Sequence, residues 1–254
     1  MATLQIAAWP HDRRQNNLTI SKNVPNRSHE SMTTMLKQTV LCVFAGLFAS
    51  GCGANLEPKQ TDARLFANYC TQCHAPDGGG NQEIGAPSIA GLPNWYVERQ
   101  LNYFYDGLRG EHPDDAEGLR MRPMARSFNG RRHQFPIVAD YVANMPPVTP
   151  ARALEGGDAE KGKLTYQAVC SNCHGVDGKG MVNSPLYPDL PNLAPSLVIA
   201  DDWYMLTQLK KFKGGIRGVH PDDKYGTAMA NMSLTLTDEP AMMDVIAYIK
   251  TLPE

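Results

Sequence analysis

The chain has 254 residues, 42% of them hydrophobic and 20% charged, with 24 Lys and Arg against 26 Asp and Glu. That composition excludes wholesale disorder, and a net charge of −2 excludes the concentrated positive field that a phosphate backbone requires, so no nucleic-acid partner is expected. The length suits one sizeable domain or two small ones.

Residues 1–31 are polar and patternless. They read either as a gene-model extension ahead of a start at Met32 or Met35, or as a disordered tail. Residues 32–51 read as an export signal: Lys37 precedes the apolar run TVLCVFAGLFAS, which is too short to span a bilayer comfortably. Small residues then lead to Cys52 in Ala49-Ser50-Gly51-Cys52. This stretch resembles the lipobox of bacterial lipoproteins, with Ala49 where leucine is usual. The resemblance implies a lipid on Cys52 that ties the protein to the membrane in the periplasm; cleavage at a conventional site nearby, or an uncleaved short anchor, is the alternative. A chain starting at Cys52 keeps 19 basic and 24 acidic residues, net −5, because five Lys/Arg and two Asp/Glu precede it. Such a surface suits partners with a basic docking patch.

The rest of the chain is a duplication. Cys70-Thr71-Gln72-Cys73-His74 aligns with Cys170-Ser171-Asn172-Cys173-His174 at an offset of 100. At an offset of 108, Ala86-Pro87-Ser88-Ile89 then meets Ala194-Pro195-Ser196-Leu197, Trp95-Tyr96 meets Trp203-Tyr204, Gln100-Leu101 meets Gln208-Leu209, and His112-Pro113-Asp114-Asp115 meets His220-Pro221-Asp222-Asp223. Two copies of one module follow, residues 52–148 and 158–254, joined by a Pro- and Gly-rich linker at 149–157. The eight extra residues of the second copy fall between His174 and Leu193, in a stretch that reads as loop.

Each copy carries three helical patterns. Residues 62–73 place Leu65, Phe66, Tyr69 and Cys73 on one face, with a counterpart at 159–173. A second helix after Trp95 aligns Leu101, Phe104, Tyr105 and Leu108, and the third covers 136–144, repeated at 240–252 with Met242, Val245, Ile246 and Ile249 inward. No strand-length alternation competes, so the fold is all-α. Three helices and glycine-rich loops in about ninety residues make a thin core that calls for a staple, and a large apolar cofactor would supply one.

The two Cys-X-X-Cys-His motifs point to that cofactor. Thiols at i and i+3 on one helical turn reach the two vinyl groups of a single haem, and the next histidine faces the iron. A redox disulfide would need a βαβ setting, and a structural zinc ion would need four ligands where each copy offers two thiols and one imidazole. The second iron ligand is a methionine thioether, from Met121 or Met124 in the first copy and from Met229 or Met232 in the second, each pair spaced i, i+3. Gly78, Gly79, Gly80, Gly178 and Gly180 read as positions where backbone passes close to the haem edge. Arg109 and Arg217, at matching places, are either propionate partners or solvated, and His112 and His220 read as loop residues.

The whole of residues 62–253 resembles the tandem dihaem class I cytochromes c of the bacterial periplasm, the c-four type. The resemblance implies two cytochrome c-like domains, two covalently attached haem c groups, and single-electron carriage between proteins. It implies that Cys70, Cys73, Cys170 and Cys173 hold the haems, that His74 and His174 bind iron, and that the carbonyls of Pro87 and Pro195 accept a hydrogen bond from those histidines. In the family the ligand methionine lies seven residues before the apolar residue opening the last helical region. Phe128 and Leu236 fill that position here, which selects Met121 and Met229. A quinol-oxidising complex or a dehydrogenase is the implied donor, and a terminal oxidase or reductase the acceptor. A dihaem peroxidase or sulfur-compound dehydrogenase, and a subunit held permanently in a respiratory complex, are the competing functions.

Overall fold

The structure, a computed structural model, describes residues 62–184 and 188–254. The proposed leader, the lipid attachment at Cys52 and the first 31 residues lie outside the described residues.

In the first module, α1 (Asp62–Tyr69) and α2 (Thr71–His74) form one nearly continuous run. The Cys70 N–H bonds the Phe66 carbonyl at 2.8 Å and the His74 N–H bonds the Cys70 carbonyl at 2.9 Å, so the helical direction survives the break. Next come α3 (Asn94–Asp106), α4 (Ala116–Arg126) and α5 (Phe135–Ala143). The second module repeats the order with α6 (Ala159–Thr165), α7 (Ser171–His174), α8 (Asp202–Lys213), α9 (Lys224–Ser233) and α10 (Glu239–Ile249). Between α6 and α7 the chain widens into a π-turn at Tyr166–Cys170. Among the described residues the only β pairing is two isolated bridges, Asn81 with Ala86 and Met181 with Ala194.

Helices α4 and α9 are absent from the three-helix pattern read in the sequence. Each starts on a buried aspartate whose side chain accepts from a backbone N–H one turn on, Asp115 from Gly118 at 3.1 Å and Asp223 from Gly226 at 2.7 Å. Pro123 inside α4 and a weak apolar stripe hide the helical period. The last helix of each module begins one residue earlier than the sequence pattern, with Pro136 and Pro240 in the first turn, where a missing N–H costs nothing. Asp238 caps α10 by accepting from the Ala241 N–H at 2.9 Å.

In each module the first and last helices pack together over the core. Leu65, Phe66, Phe128, Phe135, Val138 and Val142 form its centre in the first module. Tyr166, Leu206, Leu236, Val245, Ile246 and Ile249 do so in the second. Phe128 and Leu236 are 2% and 4% exposed.

The connection between modules is fastened rather than loose. Asp201 accepts from the linker Ala151 N–H at 2.8 Å and from the Ser88 N–H of the first module at 2.8 Å. Asp202 accepts from Ala153 and Leu154, both at 3.0 Å, and Lys250 donates to the Leu154 carbonyl at 3.0 Å. Arg99 of α3 reaches across to the carbonyls of Pro191 and Asn192, at 3.3 and 2.8 Å. Those two residues close the extra loop of the second module, which is thereby drawn against the first.

Candidate functional site

An apolar cleft runs through both modules. Cys70, Cys73, His74, Pro87, Met121 and Met124 line it in the first. Cys170, Cys173, His174, Pro195, Met229 and Met232 line it in the second. The cysteines, proximal histidines, prolines and methionines inferred from the sequence therefore line one connected space, and His112 and His220 do not. The Nδ1 atoms of those two accept from the N–H of Asp114 and Asp222, at 3.1 and 3.2 Å, which makes them turn caps at the surface.

The helix break at Cys70 and the π-turn before Ser171 each put two thiols and an imidazole on one short turn. His74 Nδ1 lies 2.8 Å from the Pro87 carbonyl, and His174 Nδ1 lies 3.0 Å from the Pro195 carbonyl. A carbonyl can only accept, so Nδ1 carries the hydrogen and Nε2 keeps its lone pair. Burial lowers the pKa of both imidazoles, while the carbonyl bonds pull the other way. The net result is a neutral ring, which is the metal-binding form, held in one orientation.

Burial, with Cys73 adding, pushes the Cys70 thiol up to about 12. Burial and Cys173 push Cys170 to about 11. Half-buried thiols held neutral in this way are poorly suited to disulfide exchange or to zinc binding as thiolates. Among the described residues no three or more of His, Cys, Asp and Glu converge as a metal site.

Two of the glycines make a close backbone contact. Gly80 and Gly180, with φ of +82° and +90°, turn the chain so that it passes directly against the proline segment. A Cβ at Gly80 would sit 2.5 Å from the Pro87 carbonyl carbon, and one at Gly180 would sit 2.5 Å from the Ala194 oxygen. Close approach is thus to backbone, and it sets the Pro87 and Pro195 carbonyls over the histidines.

Arg109 and Arg217 are not freely solvated. They meet at the boundary between the modules in a pseudo-twofold lattice with Gln100 and Gln208. Arg109 donates to Gln100 at 2.7 Å and to Gln208 at 3.2 Å, and Arg217 donates to Gln208 at 2.7 Å and to Gln100 at 3.2 Å. Each guanidinium stacks on a phenylalanine, Phe104 or Phe212, at 4.5 Å. Arg109 also donates to the Tyr204 hydroxyl at 3.0 Å. The Gln and Arg repeats are visible in the sequence, but alignment of two copies does not reveal that equivalent residues touch one another.

This lattice supplies a test of whether a haem fits. Arg109 Nε is buried without a hydrogen-bond partner, and the direct partners of both guanidiniums in the lattice are neutral. A carboxylate-bearing group in the cleft would satisfy that donor. Together with paired thiols, a lone-pair imidazole, thioethers and apolar walls, the donor set suits a covalent haem in each module.

The profile of the cytochrome c family, described as "Cytochrome c", matches residues 63–146 and again 159–253. The chain belongs to the tandem dihaem cytochromes c. This cytochrome is 32% identical to a thiosulfate dehydrogenase electron acceptor of Thiomonas intermedia over 68% of its own length and 73% of that protein. It is also 33% identical to the cbb3-type cytochrome c oxidase subunit CcoP of Rubrivivax gelatinosus over 46% of its length, spanning about a third (34%) of that subunit. Among solved structures it superposes on cytochrome c4 of Acidithiobacillus ferrooxidans with a TM-score of 0.57 and 27% identity, covering 73% of this chain and 99% of that one. It is an all-helical dihaem carrier that passes electrons between redox partners, with two covalently bound haem c groups. Its relatives place it with the periplasmic c-type cytochromes, and no helix among the described residues is long and apolar enough to cross a membrane.

Proposed function

We propose that this cytochrome takes single electrons from a quinol-oxidising complex or a dehydrogenase and delivers them to a terminal oxidase or reductase in the periplasm. Cys70, Cys73 and His74 hold one haem and Cys170, Cys173 and His174 the other, with Met121 and Met229 as the second iron ligands. Haem supplies a reversible one-electron change at iron. The protein holds the imidazole in a fixed tautomer through Pro87 or Pro195, offers a soft thioether from α4 or α9, and keeps water from the apolar walls. A donor of the thiosulfate dehydrogenase type and an acceptor of the cbb3 oxidase type are supported by the names of the relatives. A lipid on Cys52 would confine the carrier to the membrane surface.

The observation that carries this reading is the matched arrangement of thiols, proline-tethered imidazole and methionines in both modules, facing one connected cleft. Met121 packs against the buried core of its module, and Met232 is 36% exposed, which supports Met121 and Met229 over Met124 and Met232. Absorption spectra of M121L and M229L test the choice. Each substitution is expected to abolish the thioether signature of one haem of the two, whereas an unchanged spectrum would transfer the role to Met124 or Met232. A high-spin haem in the unaltered protein that binds peroxide would favour an enzyme.

A further inference from the structure

The boundary between the modules is symmetric in its arginines and glutamines but not in its carboxylates. Asp115 and Asp223 occupy equivalent places, 2% and 3% exposed. Across from Asp115 stands Lys211 of α8, whose ammonium donates to both Asp115 and Glu117 and is itself 9% exposed. In the other half, position 103, equivalent to 211, is Tyr103, and position 225, equivalent to Glu117, is Tyr225. Burial and Asp223 push the Tyr103 hydroxyl up to about 12, so this contact stays uncharged on the tyrosine side. Arg99 and Arg217 are the cations that act on it; Arg99 lies 3.5 Å over the Tyr225 ring with its Nη2 donating to the Pro191 and Asn192 carbonyls. One half of a duplicated interface thus contains a buried lysine bridging two carboxylates, and the other contains two phenols beside one carboxylate.

Glu117 and Lys211 line the cleft of the first module's methionine helix, and Tyr103, Asp223 and Tyr225 line the corresponding part of the second. A haem gains one negative charge when it is reduced and returns it unchanged to the next partner, with no bond made or broken. Fixed charges beside it therefore set its potential: a cation stabilises the reduced form and an anion the oxidised form, most strongly where water is excluded.

We propose that Lys211, a residue of the second module, sets the reduction potential of the first module's haem by neutralising Asp115 and Glu117. The first module is then a complete electron site only when the second is docked against it. This inference rests on the dihaem reading above.

The test is a spectroscopic redox titration of the full-length holoprotein. Each potential is assigned to its module through the thioether band that M121L or M229L removes. Lys211→Met leaves the buried Asp115 and the partly exposed Glu117 without their cation, and the reduced-to-oxidised ratio of the first haem at a given solution potential is expected to fall about tenfold, on the order of one unit charge in a low-dielectric site. Glu117→Gln removes a partly exposed carboxylate and is expected to shift that ratio upward, leaving the second haem in place. Tyr103→Lys, which copies the lysine into the other half, is expected to raise the second haem instead. Equal movement of both haems, movement of K211M and E117Q in the same direction, or no movement would overturn the assignment. If K211M does not fold, E117Q and Y103K decide. Haem content measured on the unaltered protein separates the two levels: fewer than two haems per chain would defeat the dihaem reading, and two haems with unmoved potentials would defeat only the role of Lys211.

Discussion

The two modules share a plan and differ in what they use to hold it. In the first, the position equivalent to Tyr166 is Phe66, the position equivalent to Asp202 is Asn94, and the position equivalent to Asp201 is Pro93. The second module has more buried polar anchors: the Tyr166 hydroxyl donates to the Gly175 carbonyl at 2.8 Å, and Asp202, fully buried, holds the linker with Lys250 3.3 Å away. The first module relies on stacked rings, with Tyr69 on Phe128 at 4.2 Å and Phe128 edge-on to Phe135 at 5.1 Å. The two copies thus share the thiols, histidines, prolines and methionines of the cleft and differ in the contacts that support them. The copy that follows the linker took on the task of fastening the two halves together.

Breaking the fastening should have the largest effect. Asp201→Ala leaves the Ser88 and Ala151 N–H groups without their acceptor, and each bond to a charged group contributes about 1.5–3 kcal/mol. We expect a loss of roughly 2–5 kcal/mol and the separation of one calorimetric transition into two, one for each module. A single transition at an unchanged midpoint would show that the linker is not what couples them.

Acid should sharpen the contrast next. Burial pushes the Asp202 carboxyl up, but the N–H groups of Leu154, Ala153 and Trp203 and the Lys250 ammonium outweigh it and hold it below its usual 3.8. A carboxylate depressed on folding contributes its full stability above the unfolded value and loses it as the pH falls through the lower folded value. Stability from this group is therefore flat near neutrality and declines below about pH 4. Asn94, the equivalent position in the first module, carries no carboxylate, although Asp115 and Glu117 there are also held low by Lys211. Acid titration of an Asp202→Asn variant, followed by the two haem bands, is therefore expected to flatten the second module's loss below about pH 4 and to leave the first module's unchanged.

The smallest effect is expected from Tyr166→Phe, which makes the second module copy the first. Loss of one buried hydroxyl bond costs about 1 kcal/mol, read as a lower denaturant midpoint with an unchanged slope. An unchanged midpoint would mean that the π-turn at Tyr166–Cys170 does not depend on the hydroxyl.

Much of this was legible in the chain because covalent chemistry and periodicity are local. Cys-X-X-Cys-His is short enough to read directly, and the repeat at offsets of 100 and 108 identifies two modules without any contact information. The flanking helices show their period because one face is buried. Helices α4 and α9 were not legible, since Pro123 interrupts one and both carry mostly polar faces, and their presence is decided by aspartate caps packed at the boundary. Gly80 and Gly180 were legible only as positions of close approach, and the fold adds that the backbone they approach belongs to the proline segments.

The sequence by itself determined the covalent haem motifs, the duplication and the all-helical class, because each depends on neighbours a few residues apart or on likeness between copies. Only the tertiary structure decided that Arg109, Arg217, Gln100 and Gln208 meet, that Lys211 of one module bridges carboxylates of the other, and that the extra loop is strapped by Arg99. The contacts that cross between the modules join residues more than ninety positions apart, and pairing of buried charges depends on which groups lose water together, a property that no local pattern carries.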